Sequence, residues 1–316
     1  MINFRYHVVS LTAVFLALAI GLVVGTAALN GPVADSLNQR VSELRKDNTQ
    51  LRDSVSSLQE EVKREEDFAA EISQVVLPGR LTGRKILMVT LPSGRDQADP
   101  VRQMLTTAGA TVTGRIDMQD SFFVPDNAQE LLYLASSAAQ PTIPATGLPS
   151  NSDGVETASA LLASGVLDRA PGTAPPSAAD LTALLTAYEK AKYISYSDAG
   201  KDKVTEPAQA VVIVTGLPYV DKESAQKDQA VVTMVSQFDK MGAVVVAGNG
   251  ASDGNVVAAV RGDGALVKTI STVDNANTTQ GQVVTALATA EMVNQGKAGQ
   301  YGLGAGAGSM MPQQPQ

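Results

Sequence analysis

The stretch Ala210-Val211-Val212-Ile213-Val214-Thr215 and its echo Ala243-Val244-Val245-Val246-Ala247 decide the fold class. Neither alternates apolar with polar residues, as a strand with one wet face would. Each is apolar and largely β-branched at consecutive positions, which is the pattern of a strand covered on both faces in a mostly parallel sheet. Between them, 224–241 reads as a helix, so the unit is strand, helix, strand. Working outward, KILMVT (85–90), TVTGRI (111–116), KYISY (192–196) and KTISTV (268–273) are further strands. The segments 97–108, 127–139, 155–166, 177–191 and 281–295 are further helices. This alternation predicts an open, mostly parallel α/β sandwich over 83–296. Pro-rich loops fall at 140–150 and 169–177, and the Gly-rich segment 297–316, ending MMPQQPQ, reads as a disordered tail.

Upstream of the sandwich the chemistry changes. Val8–Leu29 carries no charge, and as a helix it would span roughly 33 Å, enough for a hydrocarbon core of about 30 Å. It exceeds the apolar core of an ordinary signal peptide and has a single fixed positive charge before it, so an uncleaved anchor is preferred to a cleaved signal. Arg5 on the short side and Asp35 as the first charge beyond orient residues 1–7 to the cytoplasm and the bulk of the chain outside the plasma membrane. Within the span Ala13, Ala17, Gly21 and Gly25 recur every fourth position, a spacing that allows two helix backbones to approach.

A helix break is expected at Asn30-Gly31-Pro32, and a coiled coil over 33–77. Leu37, Leu44, Leu51 and Leu58 take the d positions, and Val41, Asn48, Val55 and Val62 the a positions. Leu at d with Val at a favours a parallel dimer, and one polar Asn at a fixes register. The flanking charges are less complementary: Asp47 can meet Arg52, whereas Arg40 faces Arg45 and Glu61 faces Glu66. The stripe runs on less purely through Glu65, Ala69, Ile72 and Val76 to Pro78-Gly79, giving a stalk of roughly 60 Å.

The composition excludes much chemistry. Of 316 residues, 24 are Lys or Arg and 32 Asp or Glu, for a formal charge of −8, and there is one His and no Cys. An acidic chain is a poor partner for nucleic acid. Without Cys there is no disulfide or thiolate metal site, and a lone His7 beside the span leaves no imidazole for acid–base work in the folded domain. Gly248, Gly250 and Gly254, after the strand AVVVA, form the one candidate anion loop, but their spacing is not that of a dinucleotide fingerprint, and a structural turn is preferred. Asp198, Asp202, Asp221, Asp228, Asp253, Asp263 and Asp274 show no metal-ligand spacing, and Ser93 and Ser195 lack a nucleophile-elbow context. No cofactor and no enzymatic activity are expected.

The opening Phe4-Arg5-Tyr6-His7-Val8-Val9-Ser10-Leu11, continuing TAVFLALAIGLVVG, resembles that of the actinobacterial copper transporter (mycobacterial copper transport protein B) family. The order of parts agrees, down to Ser271-Thr272-Val273-Asp274 and Gly299-Gln300-Tyr301-Gly302. The resemblance implies an actinobacterial envelope protein with one of two roles: copper efflux at the outer membrane, or work with a membrane partner in cell division and cell separation. Soft Cu(I) selects Cys and Met. Here Met88, Met104, Met118, Met234, Met241 and Met292 lie in apolar segments, leaving Met310-Met311 as a single close pair. A membrane barrel needs strands of roughly 9–11 residues with one lipid-facing side, unlike the short two-sided strands here. The expectation is therefore a homodimeric, membrane-anchored scaffold that regulates an envelope or cell-division partner. A copper transport component is the alternative, and a ligand-binding or hydrolytic α/β domain comes third.

Overall fold

A computed structural model describes residues 4–149, 151, 153–170, 172–196, 203, 204 and 206–313. The chain divides into two units, Met1–Glu65 and Glu66–Gln316.

The first unit is helical. Helix α1 covers Phe4–Val76 and continues into the second unit. Its Phe4–Ala27 stretch, 24 residues with a mean hydropathy of 2.6, is long and apolar enough to cross a membrane. The hydroxyls of Thr12 and Thr26 donate back to Val8 O (2.8 Å) and Leu22 O (2.9 Å), so neither leaves an unmet donor on the apolar surface. The break expected at Asn30-Gly31-Pro32 does not occur, and the helical backbone runs through it. A proline removes one backbone donor and bends a helix, but flanking turns with good helix formers can carry the chain past it.

The second unit begins with the last turns of α1, where the buried positions become Ala69, Ser73 and Leu77. Their steps of four differ from the alternating steps upstream, and Val76 and Leu77 pack into the core of this unit. From there the chain forms strands β1 (Lys85–Thr90), β2 (Thr111–Met118), β3 (Ile194–Tyr196), β4 (Ala210–Val214), β5 (Ala243–Ala247), β6 (Ile270–Val273) and β7 (Gln300–Tyr301). The helices are α2 (Arg95–Thr107), α3 (Ala128–Ser137), α4 (Gly154–Val166), α5 (Ala178–Lys190), α6 (Ser224–Asp239), α7 (Val256–Gly262) and α8 (Thr279–Gln295). The described strands form one sheet of order β3-β2-β1-β4-β5-β6-β7, parallel except at β2–β3.

Period-two geometry explains the apolar runs. Leu87, Val89, Val211, Ile213, Val244 and Val246 face one core, with α4, α5 and α6. Their neighbours Ile86, Met88, Val212, Val214 and Val245 face the other, with the end of α1, α2 and α8. Every position is dry, so each valine contributes about 1.5–3 kcal/mol on burial, and a polar residue would have no wet face to occupy. Side-chain caps start four helices: Asp153, Ser177, Asn255 and Thr278 accept from Glu156 N, Asp180 N, Val257 N and Gly281 N.

Two further expectations require correction, and one short helix was not foreseen. Lys192 is not in a strand. It sits at φ +63° in the left-handed turn that ends α5, with its amide on Glu189 O at 2.8 Å. The short helix α7 follows the glycine loop unannounced, because seven residues hold too few turns for a helical period. The segment 297–313 is not a disordered tail: it supplies β7 and packs against the sheet's last strands. Low apolar content did not prevent this, because backbone amides and one buried ion pair hold it.

Candidate functional site

The strand order places the topological switch point between β1 and β4, where open α/β sheets commonly bind ligands beyond the strands' carboxyl ends. Here the turns after β1 and β4 touch and narrow that crevice to a small cavity lined by Ser93, Gly216, Tyr219, Asp228 and Asn255. Leu91 N donates to Val214 O (2.9 Å), and Gly216 N donates to Ser93 Oγ (3.0 Å). A Cβ on Gly94 would lie 2.4 Å from Val214 O, and one on Gly216 would lie 2.0 Å from Ser93 O. Two glycines thus let two turns touch where a nucleotide would otherwise enter. Ser93 is an acceptor inside this turn, and Ser195 is an exposed residue of edge strand β3.

The glycine loop after β5 bonds two of its glycine amides internally. Gly248 N donates to Val273 O (2.7 Å) and Gly250 N to Asp274 O (2.5 Å). Asn255 ties the loop across the crevice, donating from Nδ2 to Gly216 O (3.1 Å) and Asn249 O (3.3 Å). Gly254, at φ +82°, lets the turn pass close to Asp228 and Pro218. These bonds tie the loop to the ends of β4 and β6.

The remaining carboxylates act singly. Asp221 meets Lys227 Nζ at 2.7 Å, Asp228 accepts from Tyr219 N at 3.1 Å, Asp263 accepts from Ala265 N at 2.7 Å, and Asp253 is exposed. Asp198 and Asp202 lie outside the described residues. Burial raises the Asp228 carboxyl's pKa. Burial and then the nearby Asp120 push the Tyr219 hydroxyl up, its OH standing 3.2 Å from Asp120 Oδ1. Among the described residues no three His, Cys, Asp or Glu side chains gather to hold a metal.

The most elaborate constellation joins β6, β7 and α7. Arg261 and Asp274 pair at 2.8 Å with side chains only 4% and 2% exposed. Arg261 Nε donates to Thr272 Oγ1 (2.9 Å), Nη1 to Ala305 O (2.9 Å) and Nη2 to Tyr301 O (2.7 Å). The Asp274 carboxylate accepts from Leu303 N and Gly304 N, both at 2.8 Å. Gly302 passes so close that a Cβ there would lie 2.2 Å from Asp274 Oδ1, at a φ of +125° that a side chain rarely adopts. Thr272 pairs with Gln300, and Val273 with Tyr301, in the β6–β7 ladder. Tyr301 donates its hydroxyl to Glu291, which also meets Lys297 at 2.9 Å. Burial and then Glu291 raise the Tyr301 pKa.

Helix α1 carries the two other candidate surfaces. Leu37, Val41, Leu44, Asn48, Leu51, Val55, Leu58 and Val62 are all exposed, as are Ala13, Ala17 and Gly21, with Gly25 half-buried. At about 100° per residue the Gly21/Gly25 face lies roughly 130–180° round the helix from the a/d stripe. The structure therefore does not bring the small-residue stripe and the heptad seam onto one face.

Residues 1–312 match the model of the family described as "Copper transport outer membrane protein, MctB". The chain belongs to this family. Proteins named copper transporter MctB from Mycobacterium tuberculosis and Mycobacterium bovis are each 27% identical over 315 residues, covering 98% of this chain and 99% of theirs. The Mycobacterium leprae protein of that name is 26% identical over 314 residues.

Within this MctB-family chain, the Ser271–Asp274 and Gly299–Gly302 signatures prove to be adjacent strands of one sheet, side by side at the buried ion pair. Arg261 escaped notice in the sequence. The signal available was a lone Arg closing the apolar run Val256–Val260, a position that a surface helix would not need. Met310 and Met311 are exposed, while Met88, Met104, Met118, Met234 and Met292 are buried in the core. His7 lies exposed on α1.

Proposed function

We propose that this chain is a non-enzymatic, membrane-anchored envelope scaffold, dimeric through the seam of α1, that binds and regulates partners in cell-wall remodelling and cell separation. The carrying observation is that the exposed stripe from Leu37 to Val62 lies on the same helix as the apolar Phe4–Ala27 span. Four leucines and three valines left in water would cost several kcal/mol per chain, and a second copy in parallel register covers them, with Asn48 opposite its twin. The narrow crevice, with its turns in backbone contact, supports a domain that works through its surface. On this reading the plasma membrane holds the span, residues 1–7 are cytoplasmic, and the α/β domain is outside.

A second reading, a component of copper transport in the envelope, draws its support from the family description and the names of the mycobacterial relatives. It takes copper as cargo, with the exposed Met310-Met311 pair as the soft ligands at hand. Gene deletion in the native bacterium, scored for septation and copper tolerance, separates the two. Chained cells at ordinary copper, reproduced by Leu51→Pro, support the scaffold. Normal division with copper sensitivity, reproduced by replacing Met310 and Met311, overturns it in favour of transport.

A further inference from the structure

We propose that in the dimer the two membrane spans meet along the face carrying Leu16 and Val23, with Gly21 and Gly25 turned away from the partner. The inference rests on the seam-paired dimer proposed above. It comes from one property of α1: the helix does not break at 30–32. An unbroken helix carries its rotational phase with it, so the face that meets the partner at Leu37 and Val41 fixes the face that meets it inside the membrane.

The phase can be counted back in two limits. If the supercoil continues, strict heptads from Leu37 put Leu16 and Val23 at d and Ile20 at a. If the helices straighten, the contact face drifts by about 20° per heptad. Both limits keep Leu16 and Val23 on the contact face, and both leave Gly21 and Gly25 roughly 130–180° away. Leu16 and Val23 are exposed, and nothing lies within 4 Å of a Cβ placed on Gly21 or Gly25.

The occupant is a second copy of this chain. Asn48 sets a parallel alignment in which like residues oppose one another, and the paired stalk delivers the two spans to the bilayer about 8–10 Å apart. In lipid there is no hydrophobic drive between helices, only packing and polar contacts, and the hydroxyls of Thr12 and Thr26 are already bonded to their own helix. The stalk therefore decides the face. Bringing the glycines together would require turning each helix by nearly half a revolution and exposing the whole leucine seam.

The chain has no cysteine, so single-cysteine variants of the full-length protein can be oxidised in the membrane without background. Leu51→Cys, on the seam outside the bilayer, reports the dimer itself. Leu16→Cys and Val23→Cys are expected to give several-fold more disulfide-linked dimer than Gly21→Cys and Gly25→Cys. A maximum at Gly21 or Gly25 overturns the inference while efficient Leu51→Cys linkage leaves the dimer standing. Equal, weak linkage at all four membrane positions with strong linkage at Leu51→Cys also overturns it, because lipid then separates the spans. If Leu51→Cys does not link, the dimer reading itself falls, and this inference with it.

Discussion

Arg261 Nη1 and Asp274 Oδ2 are 2.8 Å apart in the interior, and the groups that complete their coordination are the Thr272 hydroxyl and carbonyls and amides from 301–305. An α7 residue and the residue that follows β6 are thus joined through β7 and the segment after it. This is why a glycine-rich terminus with little apolar surface is nevertheless fixed in place. Asp274→Asn or Arg261→Met leaves one buried charge without its partner and should cost about 3–5 kcal/mol. Thermal unfolding of the full chain in mild detergent measures the loss. Proteolytic cleavage within 302–308 should accelerate in parallel. The double variant Arg261→Met/Asp274→Leu should recover part of the stability, since no isolated charge is left.

Gly216 and Gly94 bring the turns after β4 and β1 into backbone contact. Gly216→Ala should destabilise the domain by about 2–3 kcal/mol or more, because the new methyl has only the Ser93 carbonyl to displace. Gly264, with open space around its position, is the control: Gly264→Ala should leave the unfolding midpoint nearly unchanged.

Asn48 sits alone among apolar a positions and is exposed in the single chain. Asn48→Ile should raise the stability of the dimer while relaxing its restriction to two chains, because a buried Asn trades stability for register. Leu51→Pro should abolish pairing, at a cost of about 3 kcal/mol or more to the helix alone. Analytical ultracentrifugation of detergent-solubilised protein reads both changes as a shift in mass.

Alkaline pH should unfold the α/β domain. Burial, with a lesser contribution from Glu130, raises the Tyr193 hydroxyl from 10.0 to about 12, and burial alone pushes Tyr188 higher still. The folded state thus holds protons that the unfolded state releases. This stabilisation is complete below pH 10 and is lost as the pH rises through about 12. Tyr188 donates its hydroxyl to Ala158 O at 3.2 Å, so its ionisation also removes a buried hydrogen bond. The unfolding midpoint, followed from pH 9 upward, should fall together with the appearance of tyrosinate absorbance. A flat profile to pH 12 would contradict this linkage.

Topology is open to labelling. Cysteines placed at Gln59 and at the exposed Leu303 should both react with a membrane-impermeant maleimide in intact, wall-permeable cells. Protection of both would reverse the orientation.

Much of this molecule was legible along the chain, because its signals are local. Strands β1 and β5 fall at the residues expected, since a two-sided apolar run is a property of consecutive positions. The heptads and the uncharged span are likewise patterns of spacing and charge. Where reading failed, the deciding partner was distant in sequence. Nothing near Gln300 marks a strand: β7 exists because β6 offers Thr272 and Val273 an edge to pair, and because Arg261 reaches the carbonyl of Tyr301. Gly94 and Gly216 look like ordinary turn glycines until the strand order β1-β4 presses them together. The unbroken passage of α1 through Pro32 was equally invisible, since a proline's local penalty is fixed while the turns that outweigh it lie on either side. Sequence alone therefore determined where β1 to β6 fall and where the long apolar run lies, each a matter of neighbours within a few residues. Only the tertiary structure decided what narrows the crevice, what fastens the terminus and which faces of α1 share a phase, because each depends on groups that meet only when the chain folds.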